Sequence, residues 1–170
     1  MKQALTLSIS ICAAWALTAS AQTDYSHGAD FSQYKTYSWI GAITGGPNAS
    51  NDLWAKNIEQ DVNRTLGSKG WIKVQAGGDA VVSAFGRTYN DQTLATYYNG
   101  VGGDWLWRGL GGGSTDNPAV GTLVVDIFDG KTKKLLWRGS APDTLVGKPD
   151  QSATKLKQSV TDMFKGFPPG

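Results

Sequence analysis

The stretch GTLVVDIFDGKTKKLLWRGSA, residues 121–141, restricts the fold more than any other part of the chain. Leu123, Val125 and Ile127 fall on one side of an extended strand, and Leu135 and Trp137 do the same on a second. Between them, Asp129-Gly130-Lys131-Thr132 supplies turn residues. Two such strands so close in sequence form an antiparallel hairpin with one apolar face, and that face has to be covered. Aligning the apolar sides pairs Val125 with Trp137 and Ile127 with Leu135, which leaves Gly130-Lys131-Thr132 at the tip.

The same stretch holds two aspartates that invite a catalytic reading. Residues three apart on a strand point to opposite faces, so Asp126 and Asp129 do not converge as general acid and base. Asp129 reads as the residue that opens the turn, its carboxylate accepting the amides that follow. Asp126 falls opposite Leu123, Val125 and Ile127, with Lys134 and Arg138 as diagonal neighbours. A cross-strand ion pair there is worth about 0.2–1 kcal/mol.

Two helices supply the cover. From Asn51 to Ser68, Trp54, Ile58, Val62 and Leu66 recur every four residues as one apolar stripe. Ser50 or Asn51 caps its start, Asp52 suits its positive end, and Gly67 and Gly70 let it stop. A second helix begins after Asp150 or Ser152. Its stripe is Ala153, Leu156, Val160, Met163, Phe164 and Phe167, and Pro168-Pro169 ends it. YKTYSWI (34–40) reads as a strand, and DAVVSAFGRTY (79–89) and TLATYYNG (93–100) as a second hairpin joined by NDQ. TDYSHGADF is an edge strand or an extended lead-in. The predicted architecture is α+β, a mainly antiparallel sheet of about five strands with two helices packed on one face. The first strand pairs in parallel after its helical crossover.

The first 21 residues do not belong to this pattern. A basic start at Lys2, an apolar run from Ala4 to Leu17 and the small residues Ala19-Ser20-Ala21 read as a secretory signal peptide (1–21), cleaved before Gln22. Residues 22–170 then form one domain, periplasmic or envelope-associated, with no transmembrane helix. The rival is a lipid anchor on Cys12, for which Ile11 stands where a small residue is wanted. Cys12 is the one cysteine, so its loss with the leader excludes disulfides, thiol catalysis and cysteine-ligated metals. Lys+Arg number 16 against 14 Asp+Glu, a balance without general attraction for nucleic acid.

No cofactor motif emerges. His27 is the sole histidine, and no GxSxG turn offers a nucleophile to combine it with Asp24 or Asp30. The glycine run RGLGGGST lacks the Gly-Lys-Ser/Thr and the following helix that phosphate binding requires. Trp105, Trp107 and Arg108 lie within a long glycine-rich stretch without periodicity, residues 100–117. They are the candidate binding residues, an aromatic surface for an envelope protein, a glycan or a lipid interface.

DYSHGADFSQYKTYSW near the start, GTLVVDIFDGKTKKLLWRGSA and the final FPP together resemble a bacterial family, the domain of unknown function 4136 (DUF4136). The resemblance spans essentially residues 22–170. Its most specific parts are Gly121-Thr122-Leu123, Asp126, Asp129, Thr132, Trp137-Arg138-Gly139 and Phe167-Pro168-Pro169. It implies a compact α+β domain in a bacterial envelope and brings no catalytic residues. The chain departs from lipoprotein members in lacking a well-placed lipobox. The expected function is non-enzymatic binding or scaffolding in the envelope. The competing class is a carboxylate-dependent hydrolase or transferase, which would need two acidic side chains converging in a cleft.

Overall fold

A computed structural model describes residues 20–44, 49–86 and 121–169. Within them run six strands and two α-helices: β1 (Gln22–Tyr25), β2 (Thr36–Ile43), α1 (Ala49–Ser68), β3 (Ile72–Val74), β4 (Ala80–Gly86), β5 (Leu123–Asp129), β6 (Leu135–Ala141) and α2 (Ala153–Met163). The strands make one sheet in the order β1-β6-β5-β4-β2-β3. Its first four strands are antiparallel to their neighbours, whereas β4–β2 and β2–β3 are parallel. The expected parallel pairing of the first long strand is therefore present, twice. The sheet is mixed, with three antiparallel pairings and two parallel ones, and it has one strand more than the predicted five. The unexpected strand, Ile72–Val74, is too short to show an alternation. Both edges of Ala80–Gly86 are taken, by β2 and β5, so no hairpin pairing runs along β4. The proposed partner strand 93–100 lies outside the described residues.

Both helices pack on one face, as their stripes demand. Trp54, Ile58, Val62 and Leu66 of α1 and Leu156, Val160 and Met163 of α2 meet Ala80, Val82, Ala84, Leu123, Val125, Ile127 and Trp137 in a single cluster. The Tyr37 hydroxyl donates to Asn63 Oδ1 at 2.8 Å and ties β2 to α1. Helix α1 begins at Ala49, ahead of both expected caps, and ends beside Gly70, whose φ of 83° favours glycine. Ala153 is exposed, because it opens α2 before the stripe reaches the sheet. Phe167 lies beyond α2 and closes the core edge-on against Phe31, Trp71, Trp137 and Phe164, with ring centroids 5.2–5.8 Å apart.

The face away from the helices is buried too. Val81, Ser83, Phe85, Val124, Asp126, Phe128 and Leu135 are all nearly inaccessible, yet none belongs to the helix-side cluster. The sheet is thus apolar on both sides at its centre, which explains why β4 and β5 are buried along almost their whole length.

The hairpin register differs from the expected one by two residues. Val125 faces Gly139 and Ile127 faces Trp137, whereas Phe128 faces Leu135. One residue of the shift comes from a longer turn: the Lys133 amide bonds the Asp129 carbonyl at 3.0 Å, and Lys133 adopts φ 61°. The other comes from a β-bulge at Leu136. Leu135 consequently sits with Phe128 on the far face, while its neighbours Leu136 and Trp137 both enter the helix-side core.

Between β3 and β4 the chain crosses β2 through Gly78. A Cβ on Gly78 would stand 2.5 Å from the Ser38 amide nitrogen and 2.6 Å from the Tyr37 Cα, both backbone. The next strand's turn presses in from the other side, where Gly130 donates to the Asp79 carbonyl at 2.8 Å. Gly78→Ala is expected to destabilise the protein by about 1–3 kcal/mol, since the obstruction is main chain and cannot rotate away. Urea unfolding measures it. A loss under about 0.5 kcal/mol would show that the crossing has slack.

Candidate functional site

Several polar groups meet in a cleft at one end of the β5–β6 hairpin. It holds about 590 Å³ between residues 26–34 and the β5–β6 turn, with Ala29, Leu135 and Leu136 as apolar walls. Asp30, Gln33, Tyr34, Asp129, Thr132 and Lys134 supply its polar rim. Its volume is in the range of small-molecule sites. The chemistry depends on what its carboxylates are already doing.

Asp129 is committed to the turn. Its Oδ1 accepts the Lys131 amide at 2.9 Å, the Thr132 amide at 2.5 Å and the Thr132 hydroxyl at 2.9 Å, and its Oδ2 accepts the Tyr34 hydroxyl at 2.8 Å. Burial alone would raise this carboxyl. The Thr132 amide, the Tyr34 and Thr132 hydroxyls and the Lys131 amide together outweigh it and hold Asp129 below the ordinary carboxylate range. Burial and the bond to Asp129 push Tyr34 up to about 12. Asp30 caps a short 3-10 turn, Phe31–Gln33, through the Ser32 hydroxyl and amide and the Gln33 side chain, which lower its pKa. Beyond the cleft, Asp79 binds the Thr36 hydroxyl and the Thr36 and Lys35 amides, and is lowered by them.

These shifts have a direction in pH. A carboxyl depressed in the folded state stabilises the fold above its unfolded pKa, near 4, and that stability is lost as pH falls through the folded value. Tyr34 acts the other way: its contribution is complete below about pH 10 and disappears as pH rises toward 12. Asp129→Asn is expected to flatten the acid limb of the stability–pH curve below about pH 4 and to lower stability at neutral pH. Chemical denaturation from pH 2 to 7 reads both. An acid limb identical to that of the parent would remove Asp129 from the linkage.

The two aspartates of the hairpin point to opposite faces, as their spacing requires. Asp126 is not the exposed, diagonal partner expected. It lies directly opposite Arg138, with Oδ1 2.6 Å from Nε and Oδ2 2.7 Å from Nη2, and the two side chains are only 1% and 7% exposed. The two-residue shift in register puts the guanidinium in line, and the buried far face removes the solvent. Asp24 faces Arg138 from β1 on the other side.

The remaining expected residues do not assemble into a catalytic group. His27 is exposed and leans on the Tyr25 ring, centroids 4.6 Å apart. Asp24 accepts the Tyr25 amide at 2.8 Å, and Asp30 serves its own turn. Among the described residues no group of three or more His, Cys, Asp or Glu is placed to hold a metal. Trp105, Trp107, Arg108 and the glycine run lie outside the described residues, as do Cys12 and the leader through Ala19. Sequence reasoning missed the Tyr34–Asp129 bond, which joins residues 95 apart in the chain, and the Asp79–Thr36 cluster. Neither has a local signature. The bidentate pair had one: Val124 and Phe128 flank Asp126 on its own face, so that face is apolar as well.

The described residues contain no helix long and apolar enough to cross a membrane. The fold is shared with a crystal structure of a DUF4136 family protein from Bacteroides thetaiotaomicron, at a TM-score of 0.56 and 13% identity, over 87% of this chain and 95% of that one. A PDZ domain protein from Parabacteroides distasonis matches at a TM-score of 0.51 and 13% identity, over 88% of this chain but 35% of that one. No curated protein matches the chain. The family described as Domain of unknown function (DUF4136) matches residues 21–169, nearly the whole span that carries the sheet, the cleft and the buried ion pair, and the chain belongs to that family.

Proposed function

We propose that the chain is an exported bacterial envelope protein that binds or scaffolds another envelope component and does not catalyse a reaction. One observation carries the reading. The carboxylates of the described cleft and hairpin are engaged by donors that build the fold: Asp129 by its turn and Tyr34, Asp30 by its own cap, Asp126 by Arg138. A general acid or base needs a lone pair or proton free for substrate. The signal-peptide pattern of residues 1–21 supports export.

The contact residues proposed are Trp105, Trp107 and Arg108, on the ground that large aromatic anchors contribute disproportionately to interfaces, often 2 kcal/mol or more each. The test is cross-linking in intact cells followed by recovery of the tagged chain. Trp105→Ala combined with Trp107→Ala is expected to cut partner recovery at least about tenfold, with the melting temperature unchanged. Undiminished recovery would discard these residues as the contact. A large fall in melting temperature would reassign them to the core.

A further inference from the structure

The leader boundary and the first strand of the fold meet at one peptide bond. Ala21, the residue before the expected cleavage, is half-buried and packs against the hydrophobic core. Gln22, the residue after it, opens β1 and faces Ser140 of β6. The pairing continues through Thr23–Gly139, Asp24–Arg138 and Tyr25–Trp137, and the Ser26 amide closes it on the Leu136 carbonyl at 2.8 Å. A signal peptidase reads small side chains just before the scissile bond. In the docked strand the nearer of these is already seated against this chain's own core.

We propose that hydrolysis of the Ala21–Gln22 bond precedes docking of β1 on β6, so that the folded precursor is a poor substrate. The step adds water across one amide, leaving the Ala21 carboxylate on the leader and a free amine on Gln22. The inference rests on the export reading given above. The topology makes the order workable. Among the described strands β1 lies at the end of the sheet, so it can stay undocked while β6, β5, β4, β2 and β3 assemble. Cleavage of the folded form then waits on local opening of that edge, and its rate falls in proportion to the fraction of time the strand is open.

The experiment uses the full-length precursor and purified signal peptidase in detergent, with mass spectrometry scoring a product that starts at Gln22. Three samples are compared: folded precursor, precursor diluted from urea directly into the enzyme, and folded Asp24→Pro precursor. Proline removes a ladder donor in the middle of β1 and loosens the strand without touching the residues read by the peptidase. The folded precursor is expected to be cut at least about tenfold more slowly than the urea-diluted one, with Asp24→Pro approaching the latter. Equal rates for folded and urea-diluted precursor would overturn the inference. Continued protection of Asp24→Pro would overturn the role of β1. A urea-diluted precursor left uncut would overturn the leader reading itself and this inference with it.

Discussion

Asp126→Ala is expected to lower the unfolding free energy by about 3–5 kcal/mol, the usual cost of removing one member of a buried ion pair. Nearly all the loss arises from what stays behind. Arg138, only 7% exposed in its side chain, keeps its charge at any accessible pH and loses the carboxylate that met both Nε and Nη2. Asp126→Asn preserves the shape but not the charge, and should still lose more than the roughly 1 kcal/mol ceiling of exposed pairs. Salt offers an independent check, because a pair shielded from water is screened little. The parent's stability should therefore change little between low and moderate ionic strength on account of this pair. Urea unfolding of the two variants gives the numbers. A loss under about 1 kcal/mol for Asp126→Ala would mean that water reaches the guanidinium.

Trp137→Ala is the second large effect, about 3–5 kcal/mol by the general cost of large-to-small aromatic changes in cores. Trp137 is 2% exposed, and its ring centroid is 4.6 Å from that of Phe164 and 5.4 Å from that of Phe167. It also closes over Gly139, where an added Cβ would lie 2.5 Å from the indole. The indole thus joins β6 to the end of α2 and to the C-terminal tail, so the cavity left by alanine has rigid backbone on one side. Trp137→Phe should recover part of the loss by filling part of that space. Equal losses for phenylalanine and alanine would show that the space must be filled completely. A cost below about 1 kcal/mol for alanine would place the indole outside the core.

The elements that could be read from the sequence are those whose side chains repeat. Trp54, Ile58, Val62 and Leu66 announce α1 because four consecutive turns place an apolar residue on one side. Leu156, Val160 and Met163 do so for α2. The late hairpin follows from the alternation Leu123, Val125, Ile127, and the face of that strand is right, whereas Leu135 lies on the opposite face from Trp137 and the register is shifted. What escaped depends on partners remote in sequence. Parallel pairing of β2 with β4 has no local mark, and Ile72–Val74 offers three residues with no period. The bulge at Leu136 hides inside an apolar run, Leu135-Leu136-Trp137, in which any register looks acceptable. The burial of the Asp126–Arg138 pair is hidden for a related reason: one aspartate amid Val124 and Phe128 gives their face the polarity of a wet one. The cleft was legible only at Asp129, whose turn chemistry is local, and not at Tyr34, which reaches it from the other end of the chain.

The long turn and the bulge each displace the return strand by one residue, and the two displacements add to an even number. Parity decides which way every later side chain points. One step alone would turn Trp137 and Gly139 toward the far side and bring Arg138 among the helices; two steps restore both. The segment 128–136 therefore obeys an arithmetic that its composition does not reveal. Its length can change in pairs, or by one if the bulge is gained or lost in the same event, but an isolated single insertion or deletion inverts the strand.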